Sequence, residues 1–237
     1  MFLLSGLFLY ASITIGQAPD AGWFAYVLYS TARFTRRLNL DFYTLALIFL
    51  TISGTAGAIN FIVTIFRLRA PGMTISRMPL LLYSTLTVSF SILFALPALT
   101  AACIFLELDR QWARISSTCH AAATRCTGST CSGPSGIPRV YIIFLPATGM
   151  VSMLLPVLAR RPIMGYPYVA VATVLTGLVG LGVWVHHMFA VGMPFLSMSF
   201  FSAASMTISI FSAIQVFAWI ATLWTGHAGH ASPQSVR

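Results

Sequence analysis

Long apolar runs alternate along this chain with short breaks that are basic or contain Pro and Gly. The pattern predicts spans near residues 2–17, 42–66, 79–106, 140–159, 164–189 and 195–224. About 20 mostly apolar residues are needed to cross the hydrocarbon core of a bilayer as a helix. Inside that core each backbone N–H and C=O must be satisfied within the structure itself. The expected fold is therefore all-α, an integral membrane bundle of about six transmembrane helices. The breaks "RLRAPGMTISRMP" (67–79) and "ARRPIMGYP" (159–167) read as turns, because Pro and Gly stop helices and charge belongs at the interface. The first run is short and begins at Met1. It lacks the basic start and small-residue cleavage site of a signal peptide, so it is read as a spanning helix shortened at its N-terminus.

Composition agrees with this pattern. Of the 237 residues, 58% are hydrophobic and 7% are charged, where soluble domains carry about a quarter charged. The formal charge is +9, and every basic residue apart from the histidines is Arg, which suggests a GC-rich gene. No basic stretch is interleaved with aromatics on a polar surface, which argues against nucleic acid as a partner. The arginines sit in breaks: Arg33, Arg36 and Arg37; Arg67, Arg69 and Arg77; Arg110 and Arg114; Arg160 and Arg161. They are read as interfacial anchors. Alternate breaks carry similar numbers, so charge does not fix the orientation. No internal repeat is evident.

Polar groups at membrane depth are expensive and are the first places to look for function. His186 and His187 stand side by side at the end of an apolar run in "VWVHHMFAVGMP". Imidazole suits copper, iron and zinc; the plainer reading is a pair of interfacial polar residues. Tyr141 opens another run in "IPRVYIIFLP", where a lone Tyr is ordinarily an aromatic-belt residue. Ser212 and Gln215 lie three apart on one helix face, as interhelical hydrogen-bonding groups often do. Gly54 and Ala58 are spaced for close helix packing. The four acidic residues, Asp20, Asp41, Glu107 and Asp109, fall near span ends. His227 and His230 lie in an expected disordered tail, 227–237. There is no phosphate-binding loop, no nucleophile elbow and no H-E-x-x-H.

"WVHHMFAVGM", "GAINFIVTIFRLRAPGM", "RAPGMTISRMP" and "FAWIATLWTG" resemble subunit I of the haem–copper oxygen reductases, and the cytochrome c oxidases in particular. The resemblance covers nearly the whole chain apart from its opening stretch and maps it to about the family's third to eighth transmembrane helices. It implies a partial subunit I fold over residues 1–226 in a bacterial cytoplasmic membrane. It also implies haem and copper as cofactors, and other oxidase subunits and cytochrome c or an equivalent donor as partners. The implied activity is transfer of electrons from cytochrome c to O2 with proton translocation. His186 and His187 match two of three copper ligands. Tyr141 matches the tyrosine that supplies an electron and a proton during O–O cleavage. Ser212 and Gln215 fall on a proton pathway, with Gln215 where many members carry Lys.

The chain departs from the family pattern in "GIPRVY", where the family reads G-H-P-E-V-Y. Ile137 occupies the third copper-ligand position and Arg139 that of a channel carboxylate. Helices bearing the axial haem ligands are not matched, so this chain alone is expected to be inactive and to bind neither cofactor fully. A non-catalytic membrane relic or assembly scaffold is the alternative.

The stretch leading into that departure is also foreign to the family. "STCHAAATRCTGSTCSGPSGIPR" is small and polar and holds three of the four cysteines. Joining the third base of each codon to the first two of the next lets residues 129–139 read H-L-F-W-x-F-G-H-P-E, which is the family's text. A frameshift over residues 115–139 is therefore expected, opening near Ile115 to Ser117 and closing near Arg139. Its cysteines, His120 and Arg125 are then products of the shifted frame, and no metal or disulfide site is expected there.

Overall fold

The computed structural model describes residues 1–16, 38–112, 140–183, 186, 189 and 194–226. Among them are six α-helices: α1 (Phe2–Thr14), α2 (Asn39–Arg67), α3 (Leu80–Trp112), α4 (Val140–Ala159), α5 (Tyr166–Gly180) and α6 (Phe195–Thr225). A short 3-10 turn, Ile75–Arg77, precedes α3. Four are long and apolar enough to cross a membrane: α2, α3 over Leu80–Phe105, α4 and α6. The chain is an integral membrane protein with an all-α fold. The expected frameshifted stretch 115–139 and the tail 227–237 lie outside the described residues.

Helix ends follow local chemistry. The Ala70–Met73 turn closes with the Met73 N–H on the Ala70 carbonyl at 3.0 Å, and Gly72 takes φ +85°. Pro71 followed by Gly72 suits such a turn, since Pro presets φ and Gly tolerates a positive one. α4 ends where Arg160 enters the left-handed region at φ 50°. There the Arg161 N–H reaches the Pro156 carbonyl at 3.0 Å and the Arg160 N–H the Val157 carbonyl at 3.3 Å. This is the paired closure that satisfies the last carbonyls of a helix. Within the expected span 164–189 the described α-helix is Tyr166–Gly180; the chain then turns, with the Leu181 N–H on Gly177 and the Gly182 N–H on Val179. Gly180 and Gly182, poor helix formers, mark the stop.

The chain divides into two compact units, Met1–Asn60 with Ile92–Gly136, and Phe61–Ser91 with Ile137–Arg237. In the first, the Ser5 hydroxyl donates to the Ala46 carbonyl at 2.7 Å and the Phe8 ring stacks on Phe49. Thr51 meets Thr100 at 2.6 Å, and the Thr44 hydroxyl donates to the Glu107 carboxylate. Gly54 lets α3 approach: a Cβ there would stand 2.7 Å from the Leu96 side chain.

The second unit packs α4, α5, α6 and the start of α3. The fully buried groups include Thr176, Thr222 and Gln215. Lipid is as apolar as Leu, so helices in a bilayer associate through close backbone approach and interhelical hydrogen bonds. Gly149 sits against Ser84, and Gly177 against Thr87 and Leu145, each too closely for a side chain. The Trp219 indole donates to Ser152 at 2.9 Å. At the end shared by α3, α5 and α6, the Tyr166 hydroxyl donates to the Met78 carbonyl. Arg161 donates to the Thr225 carbonyl at 2.7 Å, and the Met164 N–H to Thr222 at 2.9 Å.

Candidate functional site

The second unit holds the described candidate residues. Tyr141 lies in the first turn of α4 and is half-buried. Its ring lies flat on Gly180, where a Cβ would come within 2.8 Å of Cδ2. Gly180 is thus the residue that admits the tyrosine. The ring also packs, with Val179 and Ala204, on a small cluster of buried Val183 and Ile208.

His186 follows the buried Val183 by three residues. Its N–H closes a turn on the Val183 carbonyl at 3.2 Å, which ties the histidine to the cluster that Tyr141 covers. Its Nδ1 is 3.1 Å from the Ser205 hydroxyl on α6. That hydroxyl is also 2.7 Å from the Phe201 carbonyl. A serine has one proton to give. With it on Phe201, the contact to His186 needs an Nδ1–H donor, and the ring's lone pair is then on Nε2, the arrangement suited to a metal ligand. Nothing in the sequence pointed to Ser205; its partner is far away in the chain.

Gln215 stands seven residues beyond Ile208 on α6, about 10 Å along the axis. Only 1% of it is exposed. Its Nε2 donates to the Thr173 hydroxyl at 2.9 Å, and Thr173 donates to the Val169 carbonyl at 2.8 Å. Its Oε1 is buried with no hydrogen-bond partner among the described residues. Ser212 is half-buried one turn before it. Gln215 and Thr173 therefore form a buried polar link between α5 and α6.

His187 and Ile137 lie outside the described residues. No group of three His, Cys, Asp or Glu side chains is gathered among the described residues. Ile137 has no donor atom, and two adjacent imidazoles alone leave copper short of the three protein ligands that open catalytic sites ordinarily use. The donor set, as this sequence reads, does not fit copper, and no chemical step is derived through it.

The family model of cytochrome c and quinol oxidase polypeptide I matches residues 1–234. Cytochrome c oxidase subunit 1 of Bacillus sp. (strain PS3) is 39% identical over 233 residues, which is 98% of this chain and 38% of that protein. Subunit 1 of Bacillus subtilis (strain 168) is 36% identical over 232 residues, 98% of this chain and 37% of that protein. Putative cytochrome c oxidase subunit 1-beta of Streptomyces coelicolor is 37% identical over 235 residues, 98% of this chain and 40% of that protein. The chain thus spans 37–40% of the length of these relatives.

Proposed function

The chain belongs to the cytochrome c and quinol oxidase polypeptide I family, and on that premise we propose that it is part of the catalytic subunit of a terminal oxidase passing electrons from cytochrome c to O2. The observation that carries the reading is the match of this family's model to residues 1–234, within which Tyr141 packs on Val183 and Ile208 and His186 follows Val183 by three residues. Those two residues match the active-site tyrosine and a copper ligand of the family. Tyr141 would be the residue in the position of the family's active-site tyrosine, a phenol able to donate a hydrogen bond beside the centre. His186 and His187 would be two of the copper ligands, and Ser212 with Gln215 part of a proton path. Haem and copper carry the redox chemistry in such enzymes, and the protein sets their position and potential. The chain spans 37–40% of the length of its relatives, so the activity is proposed for the whole subunit to which these residues belong. The bacterial cytoplasmic membrane is the expected location, with other oxidase subunits and cytochrome c as partners.

Ile137 supports a second reading, a non-catalytic relic or assembly scaffold built on the same helix surfaces. Purifying the chain under mild detergent from its native membrane separates the two. The oxidase reading expects other oxidase subunits, haem, copper and cytochrome c-driven O2 uptake in the same fraction. A stable membrane complex free of haem, copper and O2 uptake overturns it in favour of the scaffold.

A further inference from the structure

The break between α2 and α3 encloses an open cleft of about 840 Å³. Its lining includes Arg67 and Arg69, Thr74 and Ser76, and the apolar Phe66 and Ile75. The loop is held in shape. The Ala70–Met73 turn closes it at one end, and the Arg77 N–H meets the Thr74 carbonyl at 3.0 Å. Tyr83 donates from α3 to the Ile75 carbonyl, and Tyr166 from α5 to that of Met78.

No carboxylate is among the residues that line this cleft. The acidic residues of the chain are Asp20, Asp41, Glu107 and Asp109, so none belongs to the unit of Phe61–Ser91 and Ile137–Arg237. Two guanidiniums in a cleft lined by no carboxylate suit an anion, and Arg presents a planar fork that matches phosphate oxygens. The position decides which anion. The cleft sits at the end of a 29-residue apolar helix, where a membrane interface falls. Phe66 is 43% exposed and Leu68 76% exposed beside the arginines. A free phosphate has no use for that apolar wall, whereas an acyl chain running down α2 does.

We propose that the Arg67–Arg69 cleft binds the phosphate headgroup of one anionic phospholipid, with its acyl chain along Phe66 and Leu68. Arg77 belongs to the same loop without lining the cleft, and so serves as the internal comparison.

The test uses the full chain purified from membranes in non-ionic detergent, delipidated, at low ionic strength. Binding of phosphatidylglycerol, phosphatidylcholine and inorganic phosphate is measured by native mass spectrometry. Phosphatidylglycerol is expected to bind in preference to the other two. Each of R67Q and R69Q should weaken it about five-fold and the double variant about 25-fold, since each basic side chain near anionic lipid contributes on that scale. R77Q should leave binding within about two-fold, and R67K/R69K should retain part of it, because Lys keeps the charge without the fork. Helical circular dichroism checks that each variant folds. Equal binding of phosphatidylcholine, binding of inorganic phosphate as strong as that of the lipid, or an R77Q loss equal to that of R67Q would each overturn the proposal.

Discussion

Gly177→Ala is the perturbation most sharply defined by the packing. A Cβ at Gly177 would stand 2.2 Å from Thr87 Cγ2 and 3.2 Å from Leu145 Cδ1. Thr87 cannot readily turn away: it is β-branched, and its hydroxyl donates to the Tyr83 carbonyl at 2.8 Å. Overpacking of this kind costs about 1–3 kcal/mol, against a gain of about 1 kcal/mol for replacing Gly by Ala inside a helix. Gly54→Ala on α2 is the control. It makes the same propensity gain, but its Cβ meets only the tip of Leu96, at 2.7 Å, which a flexible side chain can yield. Propensity cancels between the two variants, so Gly177→Ala should be less stable than Gly54→Ala by about 1–3 kcal/mol. Unfolding in mixed micelles titrated with sodium dodecyl sulfate, followed by circular dichroism, reads the difference. Thr87→Ser removes Cγ2 and keeps the hydroxyl, so adding it to Gly177→Ala should recover most of the loss, a coupling visible in a double-mutant cycle. Equal stability of the two alanine variants, or no recovery with Thr87→Ser, refutes this packing.

Gln215→Met, similar in volume, removes the unpartnered Oε1 along with the bond to Thr173, and should be neutral or stabilising by about 1 kcal/mol in the same unfolding assay. Thr173→Val instead strands the Gln215 amide and should cost about 1–3 kcal/mol, so the two variants bear opposite signs or differ by that amount. Ser205→Ala removes the acceptor that holds the His186 proton on Nδ1. Nitrogen-15 imidazole shifts should then move toward the Nε2–H tautomer, with a stability loss of about 1 kcal/mol; an unchanged tautomer contradicts the assignment.

The helices were legible because two local signals coincide in them, apolar length and Pro/Gly stops. α4 spans Val140–Ala159 against an expected 140–159, and α6 spans Phe195–Thr225 against 195–224. α5 is shorter than its apolar run because Gly180 and Gly182 end the helix while apolar residues continue. The close approach at Gly54 was also readable, from small residues four apart with Ala58, which is 2% exposed. The approaches at Gly149, Gly177 and Gly180 were not, because what makes those glycines necessary is a partner on another helix. Hydrogen-bond partners escape for the same reason. Ser205 is 19 residues from His186, Thr173 is 42 from Gln215, and Ser152 is 67 from Trp219. No local pattern marks such pairs.

We propose that residues 115–139 are oxidase subunit I text read out of frame. The most direct measurement is the genomic DNA sequence of codons 110–145 with their flanks. The account predicts compensating single-base changes that restore G-H-P-E-V-Y, with His at position 137 and a third copper ligand in place. Bases that confirm Ile137 and Arg139 as written contradict it, and leave a membrane protein of this family with a broken copper site.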